Sequence, residues 1–335
     1  MTLKRTFAAF FASLVACFSF GQDFHFSGFM QNMGYVNPAY AALPASGEIG
    51  LTYRNQWPGI PATFVTYGAS MIMPVSAISS GIGLNVMNDV QGGGVINQSS
   101  VSLLYGYLFN VSNSWQVSAG ISASYVFKSF NADELIFRSD ILNDLGYSYG
   151  PVTFDSYIKN YPDFSVGLIA RNSNNLSFGV SVSHLTRPQN TFSDVDNFRL
   201  PMKYTAFVGG RLPISSSSLS VEPAAFYSIQ QQNNELIWGS QFIIANSFMA
   251  GGWIRQNMQF NFEDLIISAG FYYGKYNISY HYDVNLKKID FLSTKMAAHE
   301  VTFLYRFEYK EEQKVKRVSG QRGRRGKKTD CPAYD

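Results

Sequence analysis

From Glu48 onward the chain alternates, with apolar or aromatic residues at every second position and small or polar residues between them. The clearest stretch is 115–128, where Trp115, Val117, Ala119, Ile121, Ala123, Tyr125 and Phe127 interleave with Gln116, Ser118, Gly120, Ser122, Ser124 and Lys128. The same period returns at Leu176, Phe178, Val180 and Val182, and again at Tyr276, Ile278, Tyr280, Tyr282 and Val284. Successive side chains of a strand point to opposite faces of the sheet, so this period builds one apolar face and one small, polar face. A helix would scatter the same residues around its circumference. The pattern predicts about fourteen strands, at 48–55, 62–73, 80–88, 96–109, 115–128, 164–171, 176–185, 202–212, 218–229, 235–244, 247–256, 262–273, 276–284 and 299–309. Several reach the roughly 9–11 residues that a tilted membrane strand needs.

The links between these strands carry a second signal. Every even-numbered link is short: 74–79, 110–114, 172–175, 213–217, 245–246 and 274–275. The long links 129–163, 186–201 and 285–298, and the glycine-rich 89–95, are all odd-numbered. Short turns on one side and long loops on the other is the asymmetry of bacterial outer-membrane barrels, whose short turns are periplasmic. In lipid an open sheet edge leaves backbone N–H and C=O groups unpaired, so the sheet must close. The last strand suits closure, since Val301, Phe303, Tyr305, Phe307 and Tyr309 alternate with Glu300, Thr302, Arg306 and Glu308. The expected fold class is therefore all-β: a transmembrane antiparallel up-and-down β-barrel over 48–309. Residues 22–47 form a periplasmic arm or plug, and 310–335 a basic periplasmic tail. An even strand count places both termini in the periplasm. The inward positions, mostly Ser, Gly, Asn and Thr, suit an open lumen or a plugged one.

Composition supports a sheet that meets lipid. Aromatic residues make up 16% of the chain and charged residues only 15%, against about 25% charged in an ordinary soluble domain. The mean hydropathy is -0.06, too polar for a bundle of membrane helices. At the start, Lys4 and Arg5 precede an apolar run from Phe7 to Phe20 and then Gly21-Gln22-Asp23. That is the order of a secretory signal over 1–21, favouring cleavage after Gly21. Leu14-Val15-Ala16-Cys17 is the alternative, a lipobox with Cys17 lipidated. With Cys17 removed, Cys331 stands alone and no internal disulfide is possible.

The net charge of +3 is concentrated at the chain's end. Setting aside Lys4, Arg5 and the nine bases and four acids of 310–335 leaves 15 bases against 19 acids. The barrel body is slightly acidic, while the tail carries Lys314-Val315-Lys316-Arg317 and Arg322-Gly323-Arg324-Arg325-Gly326-Lys327-Lys328. For an exported protein such a tail points to a periplasmic partner or acidic head groups of outer-membrane lipid, with no nucleic acid involved; a solvated tail without a partner is the plain reading.

Catalytic signatures are missing. The sequence holds no Gly-x-Ser-x-Gly elbow, no His-Glu-x-x-His helix and no phosphate loop. His25, His184, His281 and His299 show no metal-ligand spacing. No enzyme, cofactor or metal is expected.

One set of motifs goes further. The signal ending in Gly-Gln-Asp leads to Phe26-Ser27-Gly28-Phe29-Met30 and then Asn37-Pro38-Ala39-Tyr40. Arg54-x-Gln56-Trp57-x-Gly59 closes the first strand, Asn88-Asp89 follows the third, and His299-Glu300 opens the last. In these features the chain resembles the PorP/SprF family of Bacteroidota outer-membrane proteins, associated with type IX secretion and gliding. It departs from the simplest family pattern at Phe24-His25 and in its long tail. The resemblance implies partners rather than chemistry: type IX translocon proteins, and a large secreted adhesin-like substrate held or exported with the barrel's help. An outer-membrane transporter for hydrophobic solutes, plugged by the N-terminal arm, is the alternative.

The motif residues also have structural readings. Pro38 fixes φ and removes a donor, so Asn37-Pro38 reads either as a turn ending the arm or as a docking element. Trp57 reads as an interfacial anchor at the outer rim, with a binding contact as the alternative. Arg54, on the polar face, is expected to pair with a lumen carboxylate and hold a plug or neighbouring strand. His299-Glu300 is expected to form a hydrogen-bonding pair at the rim.

Overall fold

The computed structural model describes residues 23–60, 63–135, 156–190, 192, 199–214, 218–286 and 296–308. The signal segment 1–21 with Cys17, the basic tail 310–335 with Cys331, and the middles of the loops 129–163, 186–201 and 285–298 lie outside the described residues.

Fourteen antiparallel strands follow one another around a closed sheet: β1 (Gly47–Gln56), β2 (Phe64–Val75), β3 (Ser80–Gln91), β4 (Ile96–Asn110), β5 (Trp115–Phe130), β6 (Tyr157–Asn172), β7 (Leu176–Ser183), β8 (Lys203–Gly210), β9 (Leu219–Gln230), β10 (Asn233–Ile244), β11 (Phe248–Gln256), β12 (Phe262–Tyr273), β13 (Tyr276–Asn285) and β14 (Ala298–Phe307). Leu212–Pro213 continues β8 beyond Arg211 and pairs with β9. Closure runs through β1 and β14, paired from Gly47↔Phe307 to Gln56↔Ala298. No strand edge is then left for lipid to meet, as the hydrocarbon requires.

The two faces of the wall are inverted relative to a soluble protein. Leu51, Leu103, Ile121 and Val180 point outward and are exposed, whereas Glu48, Thr52, Arg54 and Asp89 point inward and are buried. Such an outer band is stable only against lipid. No described helix is long and apolar enough to cross a membrane; the strands cross it.

The links alternate as expected, with a short-turn end (76–79, 111–114, 173–175, 245–247 and 274–275) opposite a long-loop end that carries 131–156, 184–202 and 286–297. The sixth strand begins at Tyr157, earlier than the sequence pattern gave (164), which shortens the loop between β5 and β6. Pro162 hides it, because proline inside a strand pattern argues for a loop. Here β6 outruns β7: their ladder stops at Val166↔Val182. Pro162 pairs only with Tyr125 of β5, so its missing N–H falls on a free edge.

The arm takes the second of its two expected positions. Residues 23–46 lie inside the barrel as a plug, not in a periplasmic position beside it. Asp23 contacts His184 and Lys203 at the long-loop end, and the chain then descends to enter β1 at the short-turn end. Asp23 and Phe307 thus lie at opposite ends of the barrel. Along the descent, Phe29 packs among Phe226, Ile237, Trp253 and Ile266. Lower down, Ala39 and Leu43 pack on Ile169. The apolar core of this protein lies between plug and wall.

Candidate functional site

The lower plug rests on a row of glycines. Gly81, Gly106, Gly120 and Gly167 sit on four successive strands and pair directly with one another, Gly81↔Gly106, Gly106↔Gly120 and Gly120↔Gly167. This trough takes the 3-10 helix Pro38–Ala42. A Cβ on Gly120 would collide with the backbone of Pro38 and Ala39, one on Gly81 with the Ala41 carbonyl, and one on Gly167 with Asn37.

Asn37, fully buried, pegs the segment down. Its Oδ1 accepts from the Ala39 N–H at 2.9 Å, capping the helix. Its Nδ2 donates to the carbonyls of Leu168 (3.2 Å) and Val180 (2.9 Å) in the wall. Pro38 is the first residue of the helix, where a missing N–H costs nothing. Inward serines take the carbonyls above and below: Ser118 Oγ donates to Ala39 at 2.7 Å and Ser181 Oγ to Val36 at 2.8 Å. Tyr40 Oη donates to Glu48 at 2.9 Å, and Arg306 holds the other oxygen of that carboxylate at 3.0 Å.

The upper plug is held by charge. Glu300 accepts two successive backbone N–H groups, from Ser27 at 2.7 Å and Gly28 at 2.9 Å. Arg54 sits beside it, donating to Glu300 at 3.2 Å, Asp283 at 2.8 Å and the Ser27 hydroxyl at 2.7 Å. Arg255 reaches the same point from β11, donating to Asp283 at 3.0 Å, Asp264 at 2.7 Å and Ser27 at 2.9 Å. Arg54, Arg255, Asp283 and Glu300 are all at most 3% exposed, so every charge depends on its neighbours. Residue 28 must be glycine here: a Cβ would stand 2.6 Å from His281 Nε2 and 2.9 Å from Glu300 Oε1.

A third contact closes the mouth. His184, the first residue after β7, lies between two carboxylates, with Nε2 2.7 Å from Asp23 of the arm and Nδ1 2.6 Å from Asp163 of β6. Lys203 approaches Asp23 at 3.9 Å. Burial disfavours the charged imidazole, but the Asp23 carboxylate and the two hydrogen bonds outweigh it and hold His184 up at about 10. Burial alone would raise Asp23; the charges of His184 and Lys203 instead hold it well below the usual carboxylate range. The signs give a pH window. The His184 contribution is complete below its unfolded value of about 6.5, and is lost as pH climbs toward 10. The Asp23 contribution is present above its unfolded value of about 3.9 and fades on acidification. His184→Gln is therefore expected to lower the thermal midpoint most between about pH 4 and 6.5, with the deficit shrinking as pH rises. Paired melts of the two proteins at pH 5.5 and 9.5 check this; a deficit equal at both would remove the ionic latch.

The motif residues fall at opposite ends of the lumen. Asn37, Pro38 and Tyr40 are at the short-turn end; Arg54, Gln56, Trp57 and Gly59 are at the long-loop end, and they form no common site. Trp57 stacks edge-on against Phe64 at 5.3 Å in the β1–β2 link, with Gly59 exposed beside it. Gln56 pairs with Phe64 and Ala298 in the ladder. The expected rim pair of His299 and Glu300 does not form, because neighbours on a strand face opposite sides. Glu300 joins the plug clamp, while His299 lies on the outer surface against Tyr280 and Tyr282. Sequence reasoning missed Arg255, Asp264, Asp283 and Asp163, although each is an ionisable residue on the inward phase of its strand, a usable signal. Among the described residues no cluster of His, Cys, Asp and Glu has the arrangement of a metal site.

A family model described as type IX secretion system membrane protein PorP/SprF matches residues 18–305. The chain belongs to this family. No curated protein matches it. Among solved structures it is similar to the CymD monoaromatic hydrocarbon channel, with a TM-score of 0.50 and 11% identity over 87% of this chain and 95% of that one. It is also similar to the toluene transporters TodX of P. putida (0.49, 10%, 82% and 93%) and TbuX of Ralstonia pickettii (0.48, 11%, 81% and 92%). At these identities the likeness is one of fold.

Proposed function

We propose that this PorP/SprF-family barrel serves type IX secretion as a plugged outer-membrane component, aiding export or surface attachment of substrate proteins such as gliding adhesins. The observation that carries this reading is the family match over residues 18–305, joined to a lumen that the chain's own arm traverses from end to end. A barrel stoppered at three levels by dedicated contacts is suited to holding a partner rather than to passing solutes freely. Following the outer-membrane rule, the short turns and the basic tail face the periplasm, where translocon proteins or a tail-binding partner would meet them. The long loops and the Asp23 end of the arm then face outward, toward a large adhesin-like substrate. The reading assigns no catalysis to the chain. Transport of hydrophobic solutes draws only on a shared fold.

Two measurements test it. Affinity purification of the tagged protein from native membranes is expected to recover translocon subunits or one large surface protein. Deleting 186–201 is expected to abolish surface retention of that protein while the heat-dependent gel mobility of the barrel is preserved. Normal retention with an intact barrel would overturn the role of the loop, and a barrel recovered alone with lipid would favour transport.

A further inference from the structure

The plug leaves part of the lumen unfilled. A cavity of about 180 Å³ extends from Pro38 at its floor to Asp23, His184 and Lys203 at its upper rim. Its two sides differ in chemistry. The arm contributes Phe24, Phe26 and Tyr35, with Phe26 packed between the other two at ring distances of 5.5 Å. The wall contributes Asn85, Ser100, Ser102, Ser122, Ser124 and Ser165 from β3, β4, β5 and β6, together with the apolar Met87, Leu104, Val126 and Phe226. Asn85 is 4% exposed, and its Oδ1 has no partner among the described residues.

The same wall shows what such side chains bind. Asn85 Nδ2 donates to the Gly34 carbonyl at 2.9 Å, Ser118 to that of Ala39 and Ser181 to that of Val36. On the far side Glu300 accepts the N–H groups of Ser27 and Gly28. Inward Ser, Asn and Glu residues of this barrel thus act as receptors for polypeptide main chain. Short hydroxyl side chains leave room for a backbone and offer both a donor and an acceptor.

From this we infer that the cavity is a second main-chain site, which takes a short extended segment of the exported partner alongside the arm. The inference rests on the secretion reading above and names where in the barrel the partner is held. The segment enters past the Asp23–His184 contact, lays its backbone along the serine wall and turns apolar side chains toward Phe24 and Phe26. The floor at Pro38 is sealed by the glycine trough, so the site holds the tip of a chain and does not thread it.

The test uses the full chain in its native outer membrane, with a diazirine-bearing amino acid in place of Ser124. Irradiation is expected to give an adduct with one exported surface protein, mapping to a single short segment. Ser165→Trp, which fills the cavity from the neighbouring strand, should reduce that adduct at least about tenfold, equivalent to about 1.4 kcal/mol of binding, while Ser165→Ala leaves it. Heat-dependent mobility confirms that each variant is a closed barrel. An adduct confined to carbohydrate, to lipid or to the chain itself, or one that Ser165→Trp leaves unchanged, would overturn the site. If the wild-type barrel co-purifies with the exported protein but position 124 yields no adduct, this inference fails and the secretion reading stands. If neither is seen, both fail.

Discussion

Replacing Arg54 by methionine is expected to be the most destabilising single change in this protein, at about 3–5 kcal/mol. The guanidinium serves Glu300, Asp283 and the Ser27 hydroxyl at once, and the loss leaves two carboxylates at most 2% exposed, of which Asp283 alone keeps an ion pair with Arg255 among the described residues. Removing one member of a buried charged set is costly because the remainder stays uncompensated. Arg54→Lys should recover only part of the loss, since an ammonium lacks the planar fork that serves several acceptors together. Adding Glu300→Gln to Arg54→Met should in turn relieve part of the deficit by deleting the stranded charge, although the Ser27 and Gly28 N–H groups then share a weaker acceptor. The readout is the temperature at which the compact barrel converts to its slow-migrating form on gels, together with maleimide labelling of a cysteine placed at Phe24 in a Cys331→Ser background. Arg54→Met should label faster as the upper arm comes free. Wild-type melting and labelling in Arg54→Met would show that the clamp holds nothing.

The second large effect belongs to Gly120. A valine there projects onto the backbone of Pro38 and Ala39, which cannot step aside as a flexible side chain would. Overpacking at a filled site costs about 1–3 kcal/mol, and the cheapest relief is for residues 37–42 to lift off the trough. The wall has no such freedom, since Gly120 is held between Gly106 and Gly167 by the ladders of β4 and β6. The expected result is functional: the wild-type protein in planar lipid bilayers stays electrically silent, and Gly120→Val shows stepwise ion conductance. Asn37→Ala should open the same path less often, because it removes the hydrogen bonds to Leu168 and Val180 without adding bulk. Silence in both variants, with barrels shown to be folded, would mean that the glycine trough does not seal the lumen.

These two residues illustrate how much of the site was legible. Arg54 stands on the polar phase of a strand in a lipid-facing protein, and that alone called for a buried carboxylate partner. Its partners come from residues 229 and 246 positions away, so only the closed order of β1, β14 and β13 could name them. Gly120 was visible as one small residue among several on the inner face. That it lines up with Gly81, Gly106 and Gly167 is a matter of register, and register is fixed by long-range pairing. His299 and Glu300 show the opposite case: adjacency in sequence suggested a joint role that the period of two forbids.

By itself the sequence determined the barrel. Alternation over roughly fourteen segments, the rhythm of short and long links and the scarcity of charge are local properties, and each follows from which face of a strand meets lipid. The family motifs were equally local. The tertiary structure alone decided the path of the arm, which from Asp23 at the long-loop end descends through the lumen, where the sequence left a periplasmic arm and a plug both open. An irregular segment carries no period to orient it. Its direction is set by contacts spread around the whole wall, among them the Glu300 carboxylate, the His184 ring and the glycine trough, and those contacts exist only once the sheet has closed around it.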